Sequence, residues 1–150
     1  MDKQSITCHM CGSSDVHIRK EEDRFEYGNS QPRVFLSAVV DVYSCNECSF
    51  EYTDSRADDL RHEAVCNYLG VLTPEEITRI RKRTNMSQEE FSRETGIDEE
   101  TLSRWERGHL IQNEVMDNLL YLLSQPENLE ILRKRRSYLP CRIPVVRQRH

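Results

Sequence analysis

Four cysteines, set as two CxxC pairs at Cys8-His9-Met10-Cys11 and Cys45-Asn46-Glu47-Cys48, are the residues of this chain best placed to do chemistry. Each pair can present two thiolates from one tight turn, and two such turns complete a tetrahedral Zn²⁺ shell. Between Cys11 and Cys45 lie 33 residues, a length that suits a small sheet folded back on itself. Disulfides are the competing reading. Met1 to Met10 lacks the apolar segment of a secretory signal, so the chain is expected in the reducing cytoplasm, where this spacing reads as a metal site. Four thiolate ligands leave no open position for a catalytic water. His9, His17, His62, His109 and His150 are scattered, with no base–nucleophile arrangement. His9 reads as a surface histidine, because the cysteines already fill the shell. Cys66, opposite the apolar face expected for its helix, and Cys141 near the C-terminus read as incidental thiols. No enzyme is expected.

At 150 residues the chain holds one ordinary domain or two small ones. Its 37% hydrophobic and 31% charged residues describe a soluble protein with modest cores. No apolar run approaches the ~18 residues that a membrane span requires, so no membrane partner is expected. The net charge of −5 is unevenly spread. Residues 1–70 carry 7 Lys and Arg against 13 Asp and Glu, and residues 71–130 repeat those numbers. Residues 131–150 hold 7 basic residues and no acid. This basic tail reads either as a solvated end or as a phosphate-contacting arm. The acidity of residues 1–70 opposes single-stranded nucleic acid as their ligand and suits a basic protein partner.

The elements that must carry these residues follow from periodicity. Apolar residues alternate as strands from Val16 to Tyr52 (Val16, Ile18, Phe25, Tyr27, Val34, Leu36, Ala38, Val40, Val42), with Gly28-Asn29 and Gln31-Pro32 as turn material. A sheet this small has little core of its own, so metal is expected to hold it. Asp54 to Leu69 reads as a helix with Ala57, Leu60, Ala64 and Tyr68 on one face, ended by Gly70. Beyond it the pattern is helical throughout. Thr73-Pro74-Glu75-Glu76 and Ser87-Gln88-Glu89-Glu90 are capping boxes. Gly96 stops the second of these helices, Asp98 caps the next, and Gly108 closes it. Further helices are expected over Glu114 to Leu123 and from Pro126 to about Arg136.

Two short helices joined at Gly96-Ile97-Asp98 have the outline of a helix-turn-helix. Phe91, Ile97, Leu102 and Trp105 have the spacing of its shared core, with Trp105 as an anchor rather than a base-stacking residue. Arg104 then lies on an outer face, where an arginine can donate twice to guanine O6 and N7. Gln88 sits where a side chain and a helix N-terminus can meet a phosphate. Glu99 and Glu100 favour the helix dipole from the first turn, or accept from cytosine N4.

Residues 73–124 resemble the Xre/Cro class of helix-turn-helix through Ser87-Gln88-Glu89-Glu90-Phe91-Ser92 and Thr101-Leu102-Ser103-Arg104-Trp105-Glu106-Arg107-Gly108. Joined to the CxxC…CxxC segment, residues 6–132 resemble the MqsA/YgiT-type antitoxins. The resemblance implies zinc held by Cys8, Cys11, Cys45 and Cys48. It also implies a zinc domain that neutralises a protein toxin, and a dimeric helical domain that represses the operon from a palindromic duplex. The candidate DNA-binding set is Gln88, Glu99, Glu100, Ser103, Arg104 and Arg107. The dimer surface is expected on the last two helices, where Val115, Leu119, Leu122, Leu129 and Leu132 exceed the needs of one small core.

The expected fold class is α+β: a zinc-bound sheet domain with a C-terminal helix (1–68), a hinge (69–72), a helix-turn-helix domain of about five helices (73–136) and a basic tail (137–150). An antitoxin is the leading function. The alternative is a stand-alone zinc-containing regulator without a toxin partner.

Overall fold

The alternating segment forms two twelve-residue strands, β1 (Val16–Tyr27) and β2 (Val34–Cys45), in the computed structural model, which describes residues 5–29 and 31–137. They pair antiparallel without a bulge from Val16↔Cys45 to Tyr27↔Val34. A three-residue strand, β3 (Glu51–Thr53), adds to β2 through Tyr43↔Tyr52, giving the order β1-β2-β3. Unbroken pairing enforces strict alternation, so the apolar pairs of β1 divide between the two faces. Phe25 and Tyr27 occupy odd positions and share a face with Leu36 and Val34. Val16 and Ile18 lie on the opposite face, and Ile18 is exposed.

Helix α1 (Ser55–Leu69) is capped by Asp54, whose side chain accepts from the Arg56 N–H, and stops at Gly70 in the left-handed region (φ 70°). Its buried residues are Ala57, Val65 and Cys66, while Leu60 and Tyr68 are exposed. The packed face is therefore turned by about one residue, roughly 100°, from the face expected. Cys66 lies on the packed face and is fully buried, contrary to its expected place opposite the apolar face, and it stands outside the cluster of four cysteines. Arg61 reaches Asp23 on β1 (2.6 Å), and Tyr68 meets Tyr27 edge-on.

The chain divides between Gly70 and Val71 into two compact units. Among the described residues the regular elements of the second are all helices: α2 (Pro74–Arg83), α3 (Gln88–Thr95), α4 (Glu99–Glu106), α5 (Glu114–Leu123) and α6 (Pro126–Ser137). Both expected capping boxes form, and Pro74 opens α2. Gly96 (φ 82°) ends α3, and the Asp98 side chain accepts from the Thr101 N–H to start α4.

One core joins all five helices through Ile77, Ile80, Phe91, Ile97, Leu102, Trp105, Leu120, Leu123 and Leu129. Leu119 and Leu132 also pack against it, so Leu119, Leu129 and Leu132 serve this core rather than an outer surface. Leu72 is tied down by its N–H to Asp117 and by its carbonyl to the Gln112 amide, both 2.8 Å. The chain is α+β, and no described helix is long and apolar enough to cross a membrane. Cys141 and the tail beyond Ser137 lie outside the described residues.

Candidate metal centre and helical surface

Antiparallel pairing brings the two cysteine turns together. The first turn ends five residues before β1 begins, the second starts at the last residue of β2, and Val16↔Cys45 sets them side by side. Each turn closes in the same way: Gly12 N–H donates to Cys8 O (2.9 Å) and Ser49 N–H to Cys45 O (3.0 Å). The residue after each second cysteine is left-handed, Gly12 at φ 76° and Ser49 at φ 59°.

The four Sγ atoms lie within 4.8 Å of one another. Cys8 Sγ is 3.6 Å from Cys48 Sγ, and Cys11 Sγ is 3.7 Å from Cys45 Sγ. Sulfurs about 2.3 Å from one tetrahedral Zn²⁺ are about 3.8 Å apart, so the donor set and its spacing fit a single metal ion. Cys8 and Cys45 are buried, and Cys11 and Cys48 are exposed.

The turns also differentiate the thiols. Donation from the Cys11 and Met10 N–H groups outweighs burial and holds the Cys8 thiol down to about 6. The Phe50 N–H pulls Cys48 down, but burial and the Cys11, Cys8 and Cys45 thiols outweigh it and push Cys48 up to about 12. Cys11 is raised as well. The Ser13 N–H and the Cys48 thiol lower it, while burial and the Cys45 and Cys8 sulfurs prevail. The site is thus part thiolate near neutral pH, and a cation replaces the remaining protons on binding. His9 is exposed and stacks on Tyr52 at 4.2 Å, as a surface residue rather than a fifth donor.

In the helical unit Glu100, Ser103 and Arg104 on α4 and Arg107 at its C-cap form one stripe, each three or four residues from two of the others, with Glu99 beside them. Leu102 and Trp105 point into the core between them. Glu99, Glu100, Arg104 and Arg107 are exposed and Ser103 is half-buried. Acids thus occupy the N-terminal end of this stripe and arginines the other. Arg104 Nη2 donates to Glu100 Oε1 at 2.6 Å.

Gln88 is placed differently from the rest. Its side chain is half-buried and donates from Nε2 to Glu106 Oε2 (3.0 Å). Glu106, which the sequence reading passed over, is also gripped by Arg81 from Nε (2.6 Å) and Nη2 (2.9 Å). Burial pushes the Glu106 carboxyl up, yet the Arg81 fork and the Gln88 amide outweigh it and hold it below its ordinary value. The only signal in the sequence was a charged residue next to Trp105 on a core-facing turn.

These features define a two-unit chain, a cysteine-turn sheet that can hold a metal ion followed by a small five-helix unit. The sequence pattern of the family described as the antitoxin component of a bacterial toxin-antitoxin system, MqsA, matches residues 6–133, and the chain belongs to that family. Among curated proteins nothing matches.

Proposed function

We propose that this chain is the antitoxin of a type II toxin–antitoxin pair, acting in the cytoplasm. In this reading residues 1–68 bind one structural Zn²⁺ through Cys8, Cys11, Cys45 and Cys48 and neutralise a basic protein toxin. Residues 73–136 act as a helix-turn-helix that binds a palindromic duplex as a homodimer and represses the operon, with 69–72 as the hinge. The observation that carries the proposal is the family match over residues 6–133, which spans both units.

Zn²⁺ is favoured by four sulfur donors at tetrahedral separations. The excess of acids over bases in residues 1–70 suits a basic partner by charge complementarity. DNA contact is supported by the α4 stripe, where Arg104 can read guanine and Glu99 or Glu100 can accept from cytosine. Dimerisation is supported by apolar side chains that α5 and α6 leave exposed. Val115 and Leu122 were expected there, and Tyr121 and Ile131 join them.

Co-expression with the protein encoded beside it, together with a promoter reporter, tests the division of labour. Cys45→Ser/Cys48→Ser should lose rescue from toxicity and keep repression, whereas Arg104→Ala should lose repression and keep rescue. Repression without rescue by the unaltered chain would leave the stand-alone zinc-containing regulator.

A further inference from the structure

Three helices of the second unit meet at one buried carboxylate. The Glu106 side chain on α4 is 5% exposed and Arg81 on α2 is 13% exposed. Arg81 spans Glu106 with two donors and uses its third contact, Nη1, on the Met86 carbonyl (2.9 Å) just before α3. The Gln88 amide completes the carboxylate. An ionised carboxylate only accepts, so Gln88 must turn its NH₂ group and not its oxygen toward Glu106. That contact consumes one of the two amide hydrogens.

The surrounding helix end has been left ready for an anion. The capping box of α3 satisfies the backbone N–H of Ser87 with Glu90 and that of Glu90 with Ser87 Oγ. The N–H groups of Gln88 and Glu89 take no part in it, and groups in this position are oriented toward a negative charge.

We propose that Glu106 is a positioning residue for DNA, held by Arg81 so that it fixes the Gln88 amide with its second N–H presented to a backbone phosphate beside the N-terminus of α3. The proposal rests on the reading of this unit as a DNA-binding domain and deepens it. Gln88 touches the phosphate, and Glu106 and Arg81 act only through Gln88. Positioning of this kind lowers the conformational entropy lost on binding, because the side chain is set before the duplex arrives. It acts on register and affinity and not on base choice, since phosphates carry no sequence.

The test uses the full, metal-loaded chain and a fluorescent duplex of its own promoter, titrated by anisotropy. In Arg81→Met/Glu106→Leu the ion pair becomes apolar side chains of similar size, a change that buried pairs commonly tolerate without loss of stability. With its melting temperature kept, this variant should bind about tenfold more weakly, as Gln88→Ala should, with an unchanged ratio of promoter to random-duplex affinity. Adding Gln88→Ala to it should then cost nothing further.

Full affinity in the double variant, or an undiminished penalty when Gln88→Ala is added, overturns the proposal and leaves DNA binding standing. Failure of the unaltered chain to bind any promoter duplex overturns the DNA reading itself. Should the double variant melt below the assay temperature, the same cycle run with a second apolar pair, Arg81→Leu/Glu106→Met, which likewise leaves Gln88 no acceptor at position 106, gives the same two outcomes. A merely structural role would lower stability without producing this non-additivity.

Discussion

Asn46 is bound twice to Asp15, through its backbone N–H to the carbonyl (3.0 Å) and through Nδ2 to Oδ1 (2.8 Å). This clamp ties the second cysteine turn to the segment that leaves the first, so it fixes the distance between the two sulfur pairs. Asn46→Ala keeps the backbone bond and removes the side-chain bond. We expect a loss of about 1 kcal/mol, or roughly fivefold weaker metal retention. Competition with a chromophoric chelator measures it, and retention equal to the parent would show that the strands alone set the spacing.

The two turns share a hydrogen-bonding pattern but not a residue. Gly12 adopts its left-handed conformation freely, whereas Ser49 at φ 59° carries the strain of a Cβ in that region. Ser49→Gly should therefore stabilise the metal-loaded unit by about 0.5–1 kcal/mol, and Gly12→Ser should destabilise it by a similar amount. Thermal melts of the two variants should move in opposite directions.

Proton release follows from the unequal thiols. At pH 7 Cys8, held down to about 6, is largely thiolate, while Cys11 is raised and Cys48 is pushed up to about 12. Metal binding then expels at least the protons of Cys11 and Cys48. Apparent affinity should rise with pH above 7, where each expelled proton becomes easier to lose, and fall as acid protonates Cys8 below about 6. Calorimetry in buffers of different ionisation enthalpy counts these protons directly. A count near zero at pH 7 would contradict the thiol assignment.

Much of this molecule is legible in its sequence because the signals are local. The capping boxes at Thr73 and Ser87, the stops at Gly70 and Gly96, and the bounds of α5 each depend on a few neighbouring residues whose backbone bonds close on themselves. The cysteine turns are local too, and they advertise their pairing by repeating. What the sequence conceals is set by partners far along the chain. The buried face of α1 is decided by how it crosses β2, so Val65 and Cys66 pack where Leu60 and Tyr68 were expected. Leu119, Leu129 and Leu132 look surplus until α6 folds onto the core. Glu106 reads as a solvated charge until Arg81, 25 residues earlier, closes on it.

Dimerisation should fail when the exposed face of α5 is charged. Val115 and Leu122 are 74% and 55% exposed and lie seven residues apart on one side of the helix. Both positions are exposed and outside the buried core, so Val115→Arg/Leu122→Arg should leave the melting temperature unchanged while light scattering falls from dimer to monomer mass. Promoter affinity should drop sharply, since one copy reads only half the palindrome. A variant that stays dimeric would move the interface elsewhere.

The central claim is that this chain neutralises a protein through its metal-bound sheet unit. Titrating the full, zinc-loaded chain into the purified product of the adjoining gene, with calorimetry and a toxicity assay on the same mixtures, tests it most directly. The account predicts a stoichiometric complex whose formation abolishes toxicity and whose association slows as salt rises. The complex should persist in Arg104→Ala and vanish in Cys45→Ser/Cys48→Ser. A zinc-loaded, folded chain that neither binds nor silences that protein would contradict the claim.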